Sequence, residues 1–180
     1  MFIQTEVTPN PNSLKFLPGK IVSNNGSFEV TKKEETDNVL VREVLSINGV
    51  TGVFLGKDFI SINKSEEVNW EDIKHIAISL INDFYSTGKE FVIANELFGE
   101  KKEEHTEIEK KIISILESKI RPAVAKDGGD IKFKEFKDGI VKVELQGSCS
   151  GCPSSTMTLK QGVQNLLCHY LPEVKEVVAI

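Results

Sequence analysis

Several classes of protein are excluded by what this chain of 180 residues lacks. It contains no apolar run that approaches the roughly 20 residues a membrane-spanning helix needs. Its three cysteines are too few, and an odd number, for the disulfide framework of a small secreted domain. Residues 1–6 have neither the basic and apolar stretches of a secretion signal nor the Arg- and Ser-rich character of a transit peptide. We therefore expect no membrane partner and a location in the compartment of synthesis.

Basic residues are also in short supply. The formal net charge is -5, from 22 Lys and Arg against 27 Asp and Glu. Residues 1–96 hold 9 of the basic and 14 of the acidic side chains, which leaves 13 of each in the remainder. The negative excess therefore belongs to the first half, and neither half has the basic surplus that a phosphate backbone attracts. The composition predicts no nucleic-acid partner.

One short segment carries most of the chemical information. Residues 147–153 read Gly-Ser-Cys-Ser-Gly-Cys-Pro, which places the thiols of Cys149 and Cys152 three positions apart. Such a pair can share one metal centre or one disulfide, and thiolates select iron–sulfur clusters, zinc or copper(I) over hard cations. A tetrahedral sulfur site or a four-iron cluster needs four ligands. The segment is therefore either half of a site shared by two chains or no metal site at all.

The chain divides into two parts at a charged stretch. Residues 99–105 contain only one glycine besides charged side chains and His105, and Thr106 with Glu109 three residues later matches a capping box. We predict a linker over residues 98–106 between domains spanning residues 1–97 and 107–180. Both parts mix helical and strand patterns, so the expected fold class is α+β, with two small domains.

The second domain is expected to follow the order helix, strand, strand, helix, strand. Apolar residues at helical spacing run from Ile108 until Arg121-Pro122, where we expect the first helix to stop. Residues 131–136 and 140–145 are rich in strand formers and flank the turn signal Asp138-Gly139. A second helix is predicted between Pro153 and Pro172, with its apolar positions at Leu159, Val163, Leu166 and Tyr170, and a last strand over residues 174–179.

The first domain is predicted from similar patterns. Its strands are expected at residues 3–7, 14–17, 50–55 and 59–62, and its helices at residues 39–47 and 73–84. Residues 8–12 contain two prolines and two asparagines, which exclude regular structure. We interpret this segment as a turn, because the alternative of a partner-binding loop has no supporting chemistry here.

Other polar residues are assigned structural roles. The adjacent Cys168 and His169 lie about 15 residues beyond Pro153, which is roughly 22 Å along a helix and too far to join the cysteine pair of one chain. His75 and His105 lack metal-ligand spacing, and the Asp127-to-Asp130 run is interpreted as a glycine-containing turn rather than an acid–base pair. Trp70 is expected to pack at the start of its helix.

Both parts of the chain resemble a known family. Residues 107–180 are similar to the NifU C-terminal domain through Arg121-Pro122, the Asp-Gly-Gly-Asp run at residues 127–130 and residues 145–156, which contain the cysteine pair. Residues 1–97 resemble the domain that precedes it in Nfu proteins through residues 5–16, 49–60 and Asn69-Trp70.

This resemblance implies an iron–sulfur cluster scaffold or carrier without catalytic residues. In such a protein a 4Fe-4S cluster is held between the C-x-x-C loops of two subunits, so Cys149 and Cys152 become its ligands and the homodimer forms on cluster binding. The implied partners are an upstream cluster-assembly scaffold and apo iron–sulfur proteins that accept the cluster. Because residues 1–6 lack the character of a transit peptide, the expected location is the bacterial cytoplasm, or the mitochondrial matrix if the chain is a processed form.

Two other interpretations of the cysteine pair stay open on the residues alone. A C-x-x-C pair at a helix start is also the arrangement of a dithiol-disulfide oxidoreductase. Zinc bridging two chains in a structural dimer would use the same four thiolates, since ligand number does not distinguish zinc from iron.

Overall fold

The fold is that of a computed structural model, which describes residues 2–23, 27–88, 104–148 and 153–180, with the backbone alone at 153–156. Two hydrophobic cores lie within it. The first gathers side chains between Ile3 and Tyr85, and the second gathers side chains between Ile112 and Val177. None of the described residues belongs to both cores. The chain therefore forms two domains of α+β class, as predicted.

The first domain is a five-stranded antiparallel sheet covered by two helices. The sheet order is β1-β2-β5-β4-β3. The strands are β1 (Gln4–Val7), β2 (Ser13–Leu17), β3 (Phe28–Val30), β4 (Val50–Leu55) and β5 (Ile60–Lys64), and the helices are α1 (Val39–Leu45) and α2 (Trp70–Ser86). Both helices bury an apolar face in the same core as the sheet. The predicted strands and helices are confirmed within a few residues at their ends.

Strand β3 is an addition that the sequence did not predict. It has only three residues, too few for an alternating pattern to be recognised. It pairs with β4, with Phe28 opposite Leu55 and Val30 opposite Val53, and so forms an edge of the sheet. A short strand here completes the sheet through contacts with β4 rather than through its own sequence preference.

Trp70 begins α2 and packs against the first core, as predicted. Its indole Nε1 donates a hydrogen bond to the carbonyl oxygen of Pro11 at 3.0 Å. Residues 8–12 are therefore held by the start of α2 in addition to their own turn hydrogen bonds.

The second domain carries a three-stranded sheet in the order β6-β7-β8. Its elements are α3 (Glu107–Ile115), a wider π-helical turn (Leu116–Ile120), α4 (Arg121–Lys126), β6 (Gly129–Lys137), β7 (Ile140–Gly147), α5 (Pro153–Tyr170) and β8 (Glu176–Ala179). Strands β6 and β7 form the predicted hairpin, whose turn places Asp138 at φ 52° and Gly139 at φ 80°. Strand β8 runs parallel to β7.

The first helix of this domain starts as predicted but does not stop at Pro122. Thr106 and Glu109 form the reciprocal hydrogen bonds of a capping box. The helical path then widens to a π turn and resumes as α4, with Pro122 in its first turn. Proline lacks an N–H and crowds the carbonyl four residues earlier, so it is tolerated where a new helical segment begins. The predicted end at Arg121-Pro122 is therefore wrong.

The buried face of α5 also differs from the prediction. Val163 and Leu167 are buried and Leu159 is partly buried, whereas Tyr170 is 49% exposed. The apolar stripe continues into Leu171, just beyond the helix. Spacings of three and four residues both fit a helix, so the sequence pattern does not decide whether Leu166 or Leu167 enters the core. Packing buries Leu167. No helix among the described residues is long and apolar enough to cross a membrane.

Candidate functional site

The predicted cysteine segment lies between the end of β7 and the start of α5. Strand β7 ends at Gly147, Ser148 follows it, and α5 begins at Pro153. Cys149 and Cys152 themselves lie outside the described residues, so their role as ligands stays a prediction. The described residues on either side define how the chain enters and leaves this segment, which we call the cysteine loop (residues 149–152).

The entry to the cysteine loop is fixed against the start of β6. Gly129 pairs with Gly147, and the N–H of Ser148 donates to the carbonyl oxygen of Gly128 at 3.3 Å. The Ser148 hydroxyl donates to the carbonyl oxygen of Asp127. Gly128 adopts φ 85° and Gly147 φ 67°, a region that favours glycine. The interpretation of the Asp-Gly-Gly-Asp run as a turn holds for Asp127 and Gly128, whereas Gly129 and Asp130 already belong to β6. The turn supports Ser148, directly before Cys149.

Asp130 does more than the turn interpretation assigned to it. Its carboxylate is 4% exposed and accepts two hydrogen bonds from the Arg121 guanidinium, each at 2.9 Å. It also accepts from the N–H of Ile131 at 2.8 Å and from the hydroxyl of Ser27. A buried carboxylate needs such partners because desolvation penalises an unpaired charge. The sequence did not indicate this ion pair, because Arg121 and Asp130 are nine residues apart and form no recognisable motif.

Side chains of the first domain reach the entry to the cysteine loop. The Asn10 amide Nδ2 donates to the carbonyl oxygen of Ser148 at 3.1 Å, and the Asn63 amide Nδ2 donates to that of Gly147 at 3.3 Å. The Glu29 carboxylate accepts from the N–H of Gly147 at 3.3 Å. These contacts join residues that are 84 to 138 positions apart in the chain. The sequence therefore gave no indication of them.

A cavity of about 590 Å³ adjoins the same entry. Its walls come from the first domain at Pro9, from the helical segments before β6 at Ile120 and Val124, and from α5. The α5 residues that line it are Thr158, Leu159, Gly162, Val163 and Leu166, and Asp127 and Ser148 complete the wall. The cavity is lined mostly by apolar residues, and it reaches Ser148, the last described residue before Cys149.

The other candidate residues, Cys168, His105 and His75, have the surroundings of ordinary structural or surface residues. Cys168 is half-buried against the second core, and its thiol donates to the carbonyl oxygen of Val174 at 3.2 Å. His105 lies 3.7 Å from a carboxylate oxygen of Glu109 and packs its ring edge-on against Phe133. His75 lies exposed on α2. Among the described residues, no three His, Cys, Asp or Glu side chains cluster as metal ligands would.

Comparisons with known proteins match both domains. A model of the NifU-like domain matches residues 112–178, and a model of the N-terminal domain of the scaffold protein Nfu/NifU matches residues 3–88. A relative from Homo sapiens, "NFU1 iron-sulfur cluster scaffold homolog, mitochondrial", is 46% identical over 98% of this chain and 71% of its own length. "NifU-like protein 4, mitochondrial" from Arabidopsis thaliana is 44% identical, and this chain spans 65% of its length. A solution structure of a NifU-like protein from Saccharomyces cerevisiae is 29% identical over 49% of this chain and 81% of its own, with a TM-score of 0.45.

Proposed function

This chain belongs to the NifU-like family, with an Nfu-type first domain, and on that premise we propose that it is an iron–sulfur cluster scaffold. It binds a 4Fe-4S cluster as cargo and passes the cluster to apo-proteins, and it catalyses no reaction of its own. The observation that carries this proposal is the pair of thiols, Cys149 and Cys152, between a strand end and a helix start. The printed name of the human relative describes an iron–sulfur cluster scaffold homologue, which supports the same role.

The number of thiols favours a cluster shared between two chains. A four-iron cluster takes four thiolate ligands, and one cysteine loop supplies two. Cys168 does not make up the difference, because it lies 15 residues along α5 from Pro153, or roughly 22 Å at about 1.5 Å per residue. We therefore propose a homodimer that forms when the cluster binds, with Cys149 and Cys152 of each chain as ligands.

The flanking backbone suits an anionic cluster. The first turn of α5 directs unpaired N–H groups toward its N-terminal side, and the helix dipole favours negative charge there. The segment itself carries serine and glycine rather than large side chains. A cluster held in this way stays accessible to an acceptor, which suits a carrier better than a permanent electron-transfer protein.

The partners of the protein follow from this role. We propose that an upstream scaffold supplies the cluster and that apo iron–sulfur proteins receive it. The two named relatives are both described as mitochondrial, which favours the mitochondrial matrix, the second of the two predicted locations, over a bacterial cytoplasm.

Anaerobic reconstitution with iron and sulfide tests the proposal directly. Native mass spectrometry should find one 4Fe-4S unit for every two chains, and Mössbauer spectroscopy should show a cubane cluster. Cys149→Ser and Cys152→Ser should each abolish stable binding, because either change leaves two thiolates across the dimer. Cys168→Ser is the matched control and should bind the full cluster.

Three results would contradict the proposal. A single Cys149 or Cys152 variant that keeps a complete cluster would show that the ligands are assigned wrongly. A protein that takes up only zinc would favour the structural dimer. Disulfide reductase turnover by the metal-free protein, lost in both variants, would favour the dithiol oxidoreductase.

A further inference from the structure

Three of the hydrogen bonds between the two domains reach the backbone that leads into Cys149. Gly147 has both of its backbone polar groups bonded to the first domain, the carbonyl to Asn63 and the N–H to Glu29. The next carbonyl, that of Ser148, accepts from Asn10. Three side chains from three separate segments of the first domain therefore hold two consecutive residues at the entry to the cysteine loop.

The side chain of Asn10 is oriented by hydrogen bonds within the first domain. Its Oδ1 accepts from the N–H of Asn12 at 2.9 Å, which fixes the direction of the amide and points Nδ2 toward Ser148. The backbone N–H of Asn10 donates to the Thr8 hydroxyl at 3.2 Å. Asn10 is 8% exposed. Residues 8–12, interpreted from the sequence as a turn only, thus also present a donor to the second domain.

A second contact between the domains joins Ser61 to Gly128, directly before β6. Ser61 is fully buried, and its hydroxyl donates to the carbonyl oxygen of Gly128 at 2.7 Å. A Cβ atom at Gly128 would lie 2.9 Å from that hydroxyl oxygen and 3.1 Å from the Thr8 methyl group. The two domains therefore approach so closely here that no side chain fits between them.

The hydrogen bonds across this interface come from amides, hydroxyls, carboxylates and ammonium groups, including a bond of 3.1 Å from Lys132 Nζ to the carbonyl oxygen of Ser27. One buried apolar side chain, Phe54, also packs beside Gly147. The two hydrophobic cores have no described member in common. Polar interfaces between independently packed domains are those at which relative motion is expected.

We propose that the first domain is a clamp for the cysteine loop and that Asn10 and Asn63 are positioning residues within it. When the domains are docked, the two amides fix the carbonyls of Ser148 and Gly147, and so fix the direction in which the chain enters the loop. When the domains part, these constraints are lost. The functional consequence rests on the proposed function: docking retains the cluster, because Gly147 and Ser148 are already fixed and lose less conformational entropy when the cluster binds, and undocking promotes its release.

The docking itself is tested in the metal-free protein by hydrogen exchange. Loss of one neutral hydrogen bond changes an equilibrium by roughly fivefold, so Asn10→Ala combined with Asn63→Ala should accelerate exchange of the Gly147 amide by about 25-fold. Asn165→Ala, the same substitution at an exposed position of α5, should leave that rate unchanged. Amides of Val163 and Leu167 should stay protected in both proteins, which shows that the second core is intact. Unchanged exchange at Gly147 in the double variant would overturn the proposal.

A shape-preserving variant separates the hydrogen bond from packing. Asn63→Asp keeps the size of the side chain but turns a carboxylate oxygen toward the Gly147 carbonyl in place of the amide donor. It should accelerate exchange at Gly147 at least as much as Asn63→Ala does. If Asn63→Asp exchanged like the wild type, the amide would not be the group that holds the loop.

The positioning role is tested on the reconstituted protein. We expect the double variant to bind as many clusters per dimer as the wild type and to lose them about tenfold faster to an excess of iron chelator. An unchanged rate of loss, with faster exchange at Gly147, would overturn the positioning role. If the wild type took up no cluster at all, the proposed function would fail, while the exchange result would still decide whether the clamp exists.

Discussion

Gly147 offers a sharp test of how tightly the entry to the cysteine loop is packed. A Cβ atom there would lie 2.6 Å from the carbonyl oxygen of Gly128, 2.9 Å from the Cα of Gly129 and 3.1 Å from the Cγ of Phe54. The first two atoms belong to the backbone directly before β6 and at its first residue, so they cannot rotate away as a flexible side chain would. Phe54 is 1% exposed and belongs to the first domain, so an added methyl group would strain both the hairpin and the domain contact.

The expected cost of Gly147→Ala has two parts. The left-handed conformation at φ 67° costs about 1–2 kcal/mol for a residue with a Cβ atom. Overpacking against fixed atoms adds about 1–3 kcal/mol. The free energy of unfolding of Gly147→Ala should therefore be about 2–5 kcal/mol lower than that of the wild type. This is a large share of the roughly 5–15 kcal/mol that stabilises a typical domain.

Two other glycines serve as matched controls for the same substitution. Gly88 adopts φ 72° with no atom within 4 Å of its Cβ position, so Gly88→Ala should cost only the conformational part, about 1–2 kcal/mol. Gly162 lies exposed within α5 with the same open space, and Gly162→Ala should stabilise the second domain by about 0.5–1 kcal/mol. Gly147→Ala should therefore lower the free energy of unfolding most, Gly88→Ala should lower it less, and Gly162→Ala should raise it.

Urea denaturation with domain-specific probes measures these differences. Trp70 is the only tryptophan in the chain, and its fluorescence reports the first domain. Hydrogen exchange of core amides in β7 reports the second domain and gives its free energy of opening. If Gly147→Ala proved no more destabilising than Gly88→Ala, the close approach of Gly128, Gly129 and Phe54 would be refuted.

Two further predictions concern charged pairs. Asp130→Asn keeps the size of the side chain but removes the charge that faces the half-buried Arg121, so the second domain should lose about 1–3 kcal/mol in urea denaturation; an unchanged midpoint would contradict this. The hydrogen bond and charge of Lys142 hold the pKa of the Glu135 carboxyl below its ordinary value. Lys142→Ala should therefore raise that pKa in a carbon-13 NMR titration. A carboxyl whose pKa is lowered in the fold stabilises the protein above its unfolded-state pKa, and this contribution is lost as the pH falls through the folded-state pKa. The difference in stability between the wild type and Lys142→Ala should therefore shrink in acid. A difference that stays constant with pH would argue against the Glu135–Lys142 ion pair.

Local signals predicted most of the secondary structure correctly. The Asp138-Gly139 turn and the capping box at Thr106 each depend on a few neighbouring residues, so the sequence specifies them directly. Where the predictions failed, tertiary contacts decided. Strand β3 forms because it pairs with β4. The helical path continues through Pro122 because the π turn before it accommodates the hydrogen bond that proline cannot donate.

The candidate site divides in the same way. The C-x-x-C spacing and its family resemblance identified Cys149 and Cys152 from the sequence, and their ligand role stays a prediction. The buried contact of Asp130 with Arg121 and Ser27 was missed, because nothing in an Asp-Gly-Gly-Asp run distinguishes a turn from a buried ion pair.

The sequence by itself determined the class of chemistry, the two α+β domains and the order of the elements in the second domain. Those properties follow from residue type, spacing and short-range preference. The tertiary structure alone decided that the first domain holds the backbone before Cys149, since Asn10 and Ser148 are 138 positions apart. A hydrogen bond between an asparagine amide and a main-chain carbonyl leaves no pattern at the acceptor, because every residue carries the same carbonyl group. Only folding reveals which one the amide reaches.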